Sequence, residues 1–169
     1  MRRKTVGIAA SVIGAGLIVF AAASCSDNTG PAIPRYVANL NAAAEGGTFT
    51  SNGSGVVEFL DQGSEITWTM NLTNMTAVTQ SHIHLGDATA IAPPAGPGAG
   101  PVIINLFIPN GATATLNGEV AHGSITNANN ANVSLDSLRV LFNNGHAYAN
   151  VHTTAHPGGE IRDQIHPAP

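Results

Sequence analysis

The side chains most able to do chemistry here are histidines. His82 and His84 stand two apart in Ser81-His82-Ile83-His84-Leu85, and period two puts both side chains on one face of an extended strand. Imidazoles so placed can share one metal ion. His152 ends the run His146, Tyr148, Asn150, His152, whose intervening residues Ala147, Ala149 and Val151 are apolar. The polar set takes one face of a strand and the apolar set looks into the core. His156 offers a fourth ligand from the following loop, whereas His122 and His166 read as incidental.

Imidazole nitrogen suits both copper and zinc, and copper(II) binds more tightly than zinc at a given nitrogen site. A neutral imidazole can equally donate from one nitrogen, accept at the other and tie strands to loops. Both uses stay open from the residues alone. Tyr148 and Asn150 on the same stripe, and Arg162 on the last strand, are candidates for contact with an anion or other ligand. Glu160 and Arg162 alternate there and can pair with neighbours or with a ligand carboxylate.

Other chemistries find little support. There is no Gly-x-Ser-x-Gly and Cys25 is the single cysteine, so a nucleophilic triad has no obvious members. The Gly/Pro-rich segment after Ala90 contains no lysine and leads into a strand, unlike a phosphate-binding loop. The balance falls toward a noncatalytic protein.

Strands must position these histidines. Tyr36, Ala38 and Leu40 share a face, as do Gly55, Val57 and Phe59. Ile66, Trp68, Met70 and Leu72 alternate with Glu65, Thr67, Thr69 and Asn71. Further strands are expected over Val78 to Leu85, Val102 to Ile108, Ala112 to His122, Ala147 to Thr153 and Glu160 to Ile165. Ala90 to Pro101, with Pro93, Pro94, Gly96, Pro97, Gly98 and Gly100, is a surface loop. One helix is expected from Ser134 to Asn144: Ser134 caps it, Asp136 suits its positive end, Leu135, Leu138, Leu141 and Phe142 form its apolar stripe, and Gly145 follows. The fold class is all-β, a Greek-key β-sandwich or flattened barrel of about eight strands with one short helix.

Ahead of this domain, Arg2, Arg3 and Lys4 precede an uncharged stretch from Val6 to Ser24, the layout of a signal peptide over residues 1–24. It closes on Ala22-Ala23-Ser24-Cys25, which resembles the lipobox of bacterial lipoproteins and implies that Cys25 is lipidated and begins the mature chain. Ser26 after it implies the outer membrane in a Gram-negative host; secretion is the alternative. Residues 25–35 read as a lipidated cysteine and flexible tether, 36–166 as the domain and 167–169 as a C-terminal tail. After Ser24 three arginines face ten carboxylates, a charge balance that repels phosphate backbones and argues against nucleic-acid partners.

Three blocks together resemble the chordin-type (CHRD) domain. They are Ser81-His82-Ile83-His84-Leu85-Gly86, then Gly100-Pro101-Val102-Ile103-Ile104-Asn105-Leu106, then Gly145 to Ile165 with Tyr148-Ala149-Asn150-Val151-His152-Thr153 and Pro157-Gly158-Gly159-Glu160-Ile161-Arg162. Asp163 stands where that family usually has glycine. The resemblance implies a secreted or anchored extracytoplasmic module with no general enzymatic reaction. A second, more local resemblance is to copper/zinc superoxide dismutases, carried by His82-Ile83-His84-Leu85-Gly86-Asp87, by Val151-His152 and by Arg162. It implies copper on His82, His84 and His152, without the bridging histidine, zinc loop and cysteine pair of a full dismutase site. The expectation is therefore an anchored binding module for a protein, glycan or metal, with a copper-dependent redox protein as the alternative.

Overall fold

The computed structural model describes residues 33–46, 49–86, 100–109 and 114–169. The expected signal peptide, Cys25, the tether up to residue 32, residues 87–99, which include most of the expected Gly/Pro loop from Ala90 to Pro101, and the expected strand start at Ala112 lie outside them. Alternating residues draw the described chain into strands β1 (Arg35–Asn41), β2 (Ser54–Asp61), β3 (Ile66–Thr76), β4 (Val78–Leu85), β5 (Val102–Phe107), β6 (Thr115–Ile125), β7 (Ala147–Thr153), β8 (Ile161–Gln164) and β9 (His166–Pro167). Between β6 and β7 lies the helix α1 (Leu135–Asn144).

The strands form one antiparallel sheet in the order β5-β4-β7-β8-β1-β2-β3-β6, with β9 paired to β1. The sheet curls into a nearly closed barrel. The connections from β3 to β4 and from β6 to β7 join strands that are not neighbours, as in a Greek key. At the seam between β5 and β6, the Asn132 side chain reaches across to the Ile103 carbonyl at 3.3 Å.

The expected inward residues fill the interior: Ala38, Leu40, Val57, Phe59, Ile66, Met70 and Leu72 are all at most 1% exposed. Past Leu72 the alternation slips. A bulge between Leu72 and Met75 turns Asn74 out with a positive φ of 56° and buries Met75 instead. The extra residue restores the inward phase one step late.

Helix α1 follows its local signals closely. The Ser134 hydroxyl accepts from the Ser137 amide at 3.2 Å, and Gly145, at φ 65°, ends the helix in the left-handed region. Phe142 packs against Tyr36 and Phe59, with ring centroids 5.2 and 5.0 Å away. Edge-to-face aromatic contacts of this kind add to the burial energy. The helix is thereby pinned to β1 and β2.

Several boundaries differ from the sequence reading: β5 ends at Phe107, one residue before Ile108, and β8 covers Ile161–Gln164, one residue short of the expected strand at each end. β1 begins at Arg35, inside the stretch read as tether, and β6 runs to Ile125, beyond His122. Residues 166 and 167, read as a domain end and tail, pair with β1, and the Ala168 amide donates to the Arg35 carbonyl at 2.9 Å. Strand pairing here comes from backbone groups alone, which leave no mark in a short proline-containing sequence.

Candidate metal centre

β7 lies between β4 and β8, and all seven of its residues are buried. Its even and odd positions serve different neighbours. Ala147, Ala149 and Val151 enter the core at 0% exposure. Tyr148, Asn150 and His152 look the other way, yet they too are buried, by loops and a turn laid over the sheet. His146, expected on this stripe, precedes the strand and is exposed.

The register brings the polar residues of three strands together. His82 faces Asn150, which faces Arg162; His84 faces Tyr148, which faces Gln164; and Gln80 faces His152. Ser81 and Ile83, which alternate with the histidines along β4, are fully buried on the opposite, inward face. One ring nitrogen from each of His82, His84 and His152 lies within 4.8 Å of the others. Their ring centroids are 5.1 Å (His82 to His152), 5.5 Å (His82 to His84) and 6.2 Å (His84 to His152) apart. The three imidazoles that the sequence proposed do converge.

Two of the rings have their protons fixed from outside. His84 Nδ1 lies 2.8 Å from the Gly100 carbonyl and His152 Nδ1 lies 2.9 Å from the Pro157 carbonyl. A carbonyl oxygen only accepts, so each Nδ1 carries the hydrogen and each Nε2 carries a lone pair. Those Nε2 atoms, together with His82 Nδ1 and Asn150 Oδ1, are buried without a hydrogen bond of ordinary geometry among the described residues, and the Asn150 amide is near enough to act on His84. Buried polar atoms are nearly always paired, and such a cluster of exceptions calls for an explanation. A metal-bound imidazole characteristically donates its other N–H to a carbonyl in this way.

Electrostatics keep the rings neutral. Burial lowers the His82 pKa to about 4, with His152 and His84 adding to the effect. Burial also lowers His84, against the pull of the Gly100 carbonyl, and lowers His152, against that of Pro157. Neutral imidazole is the form that ligates. Nitrogens bound to one ion at about 2.0 to 2.1 Å lie about 3.3 to 3.6 Å from each other, so closure asks for roughly 1 Å of side-chain movement.

Arg162, expected to meet an anion, is buried and turned to its own chain. Its Nε donates to the Ala44 carbonyl at 2.8 Å and its Nη2 to the Glu45 carbonyl at 3.3 Å, while Nη1 lies 3.6 Å from the Glu45 carboxylate. These contacts hold a short 3-10 turn, Ala43–Glu45, against the sheet. The guanidinium carbon also sits 5.4 Å from the centre of the Tyr148 ring, and His84 stacks on that ring at 4.9 Å and 7°. Gly159, at φ 132°, lets the Glu45 carboxylate pass, since a Cβ there would fall 2.4 Å from Glu45 Oε1.

Other sequence candidates lie elsewhere. The His156 ring stacks on Phe49 at 3.9 Å and is outside the trio. Exposed His122 pairs with Glu119 at 2.8 Å, and His166 is exposed on β9. Glu160 accepts from the Ser51 and Thr153 hydroxyls, both at 2.6 Å, rather than from Arg162. Asp163, in place of the family's glycine, accepts from the Asn39 amide at 2.8 Å, where the β8–β1 ladder is a single residue pair.

Sequence reasoning missed Glu45 and the carbonyls of Gly100 and Pro157. The two accepting carbonyls sit in the second and third of the family-like blocks, which was the available signal. Glu45 gave none beyond being the one acidic residue between Asn41 and Glu58.

The CHRD domain family model matches residues 36–165. No match is found among curated proteins.

Proposed function

We propose that this chain, which belongs to the CHRD-domain family, is an exported, lipid-anchored binding module that holds a transition metal ion, copper or zinc, through His82, His84 and His152. The observation that carries the metal reading is the set of three buried ring nitrogens without partners, two of them with tautomers fixed by loop carbonyls. Structural hydrogen bonding accounts for the other nitrogens of His84 and His152 and leaves these three unexplained. Export and anchoring rest on the basic start, the uncharged stretch and Cys25. A protein or glycan partner would meet the module outside the cytoplasm.

Titration calorimetry of the chain with copper(II) and zinc(II) tests the metal reading. Wild type and His122→Ala bind one ion, and the His82→Ala/His84→Ala pair binds none while keeping its strand spectrum. Wild-type protein that takes up neither of these ions nor copper(I) under ascorbate, or a double variant that binds as well, refutes it. Cys25→Ser tests the anchor separately: release from the membrane fraction is expected, and unchanged mass and retention would refute lipidation.

A second reading, a copper-dependent redox protein, draws on the same three imidazoles and the absence of any carboxylate among them. Its sign would be reversible one-electron cycling of bound copper.

A further inference from the structure

The donors at this site are all uncharged. His82, His84 and His152 are each 6 or 7% exposed, and among the described residues no carboxylate or thiol joins them. The Gly100 and Pro157 carbonyls hold His84 and His152 as neutral Nε2 donors. A cation lies close by: Tyr148 stacks on His84 at 4.9 Å, and the Arg162 guanidinium carbon sits 5.4 Å from the centre of the Tyr148 ring. Its partner Glu45 lies 3.6 Å from Arg162 Nη1 and is not among the residues that gather with the three imidazoles.

An ion entering this pocket keeps its whole charge in a poorly solvated place. The cost of removing an ion from water rises with the square of its charge, and no anionic ligand is present to offset it. A monovalent ion is therefore favoured over a divalent one of similar radius. Geometry acts in the same direction: three nitrogens suffice for copper(I), while copper(II) seeks a tetragonal set of four or more. His156, the expected fourth ligand, is stacked on Phe49 instead.

Resting on the metal-holding reading above, we infer that the His82, His84, His152 site is a copper(I) site, which takes the monovalent ion in preference to both copper(II) and zinc(II). Reduction of copper(II) before binding takes one electron, supplied in the test by ascorbate. The burial of the ligands and the neighbouring guanidinium make the site a poor place for the second positive charge.

Competition titrations of the full chain test this. Copper(I) is titrated without oxygen, under ascorbate, against the chelator bicinchoninate; copper(II) and zinc(II) are titrated in air against nitrilotriacetate. Copper(I) is expected to bind at least about a hundredfold more tightly than either divalent ion. Glu45→Gln, which removes the carboxylate facing Arg162, widens that ratio. Arg162→Met narrows it, and Glu45→Gln keeps the test sharp if Arg162→Met fails to fold. Copper loaded under ascorbate stays silent in electron paramagnetic resonance after return to air. Equal or tighter copper(II) binding, a full copper(II) signal in air, or a ratio unmoved by Glu45→Gln overturns the copper(I) assignment and leaves metal binding standing. Failure to bind any of the three ions overturns both.

Discussion

At the helix end of the barrel, Arg139 donates from Nε and Nη2 to the two oxygens of Asp61 at 2.7 and 2.9 Å, from Nη1 to Asp136 at 2.7 Å, and to the Gly63 carbonyl. On the β4–β7 face, three imidazole nitrogens buried as deeply as Asp61 have no such partner. The first cluster ties α1 to the β2–β3 hairpin, and each charge meets its opposite: Arg139 pulls the Asp61 carboxyl below its ordinary range. The second ties nothing together through the nitrogens in question. A fold can tolerate either arrangement, but only the complete one stabilises the apo domain. The incomplete one marks the place where the sequence has kept polar atoms for something outside the chain.

The largest effect should come from breaking the complete cluster. Arg139→Met leaves Asp61, 8% exposed, without its counter-charge, and removing one member of a mostly buried pair costs about 3 kcal/mol. Urea unfolding should show that loss with metal affinity unchanged. A loss under about 1 kcal/mol would place this pair with ordinary surface ion pairs.

Completing the incomplete cluster should stabilise by nearly as much. An ion that binds only the folded state adds ~2.7 kcal/mol at a hundred times its dissociation constant. The wild-type unfolding midpoint should rise accordingly with metal, and that of the His82→Ala/His84→Ala variant should not move. A rise in both would mean that the ion sits elsewhere.

A smaller loss, about 1 kcal/mol, is expected for Asp163→Gly, which removes the carboxylate from the Asn39 amide at the weak β8–β1 joint. Metal affinity serves as the control, because Asp163 touches no histidine of the trio. Unaltered stability would show that this amide finds another acceptor.

The remaining effect vanishes at neutral pH and grows in acid. His82 is held down to about 4 against an ordinary 6.5, so between those values the unfolded chain binds the proton and the folded one does not. Stability due to the neutral ring is present above pH 6.5 and is lost as pH falls toward about 4. Metal-free wild type should weaken through that window, and His82→Asn should weaken less. Parallel curves would show that His82 does not titrate as its burial implies.

The two clusters were not equally legible in the sequence. The histidines announced themselves, because a period of two on β4 and an apolar alternate face on β7 define where side chains point before any strand is paired. The all-β architecture and the helix were legible for the same local reasons, with Ser134 and Gly145 marking the helix ends. Arg139 and Asp61 were opaque, since they are 78 residues apart and meet only after α1 packs on Phe59 and Tyr36. Glu45 and Arg162 were hidden likewise. The bulge that buries Met75 could not be anticipated by alternation, which it interrupts.

The uniform burial of β7 reaches beyond the site it carries. Its amides are bonded into ladders with β4 on one side and β8 on the other, so its hydrogens should be among the last to exchange with deuterated solvent, through global opening rather than local fraying. His82 and His84 on β4 and His152 on β7 share that fate. The ligands cannot part company by strand motion short of unfolding, and an ion held between them would leave no faster than the side chains and covering loops allow. Residence time in this module would then be a property of the barrel as much as of its coordination chemistry.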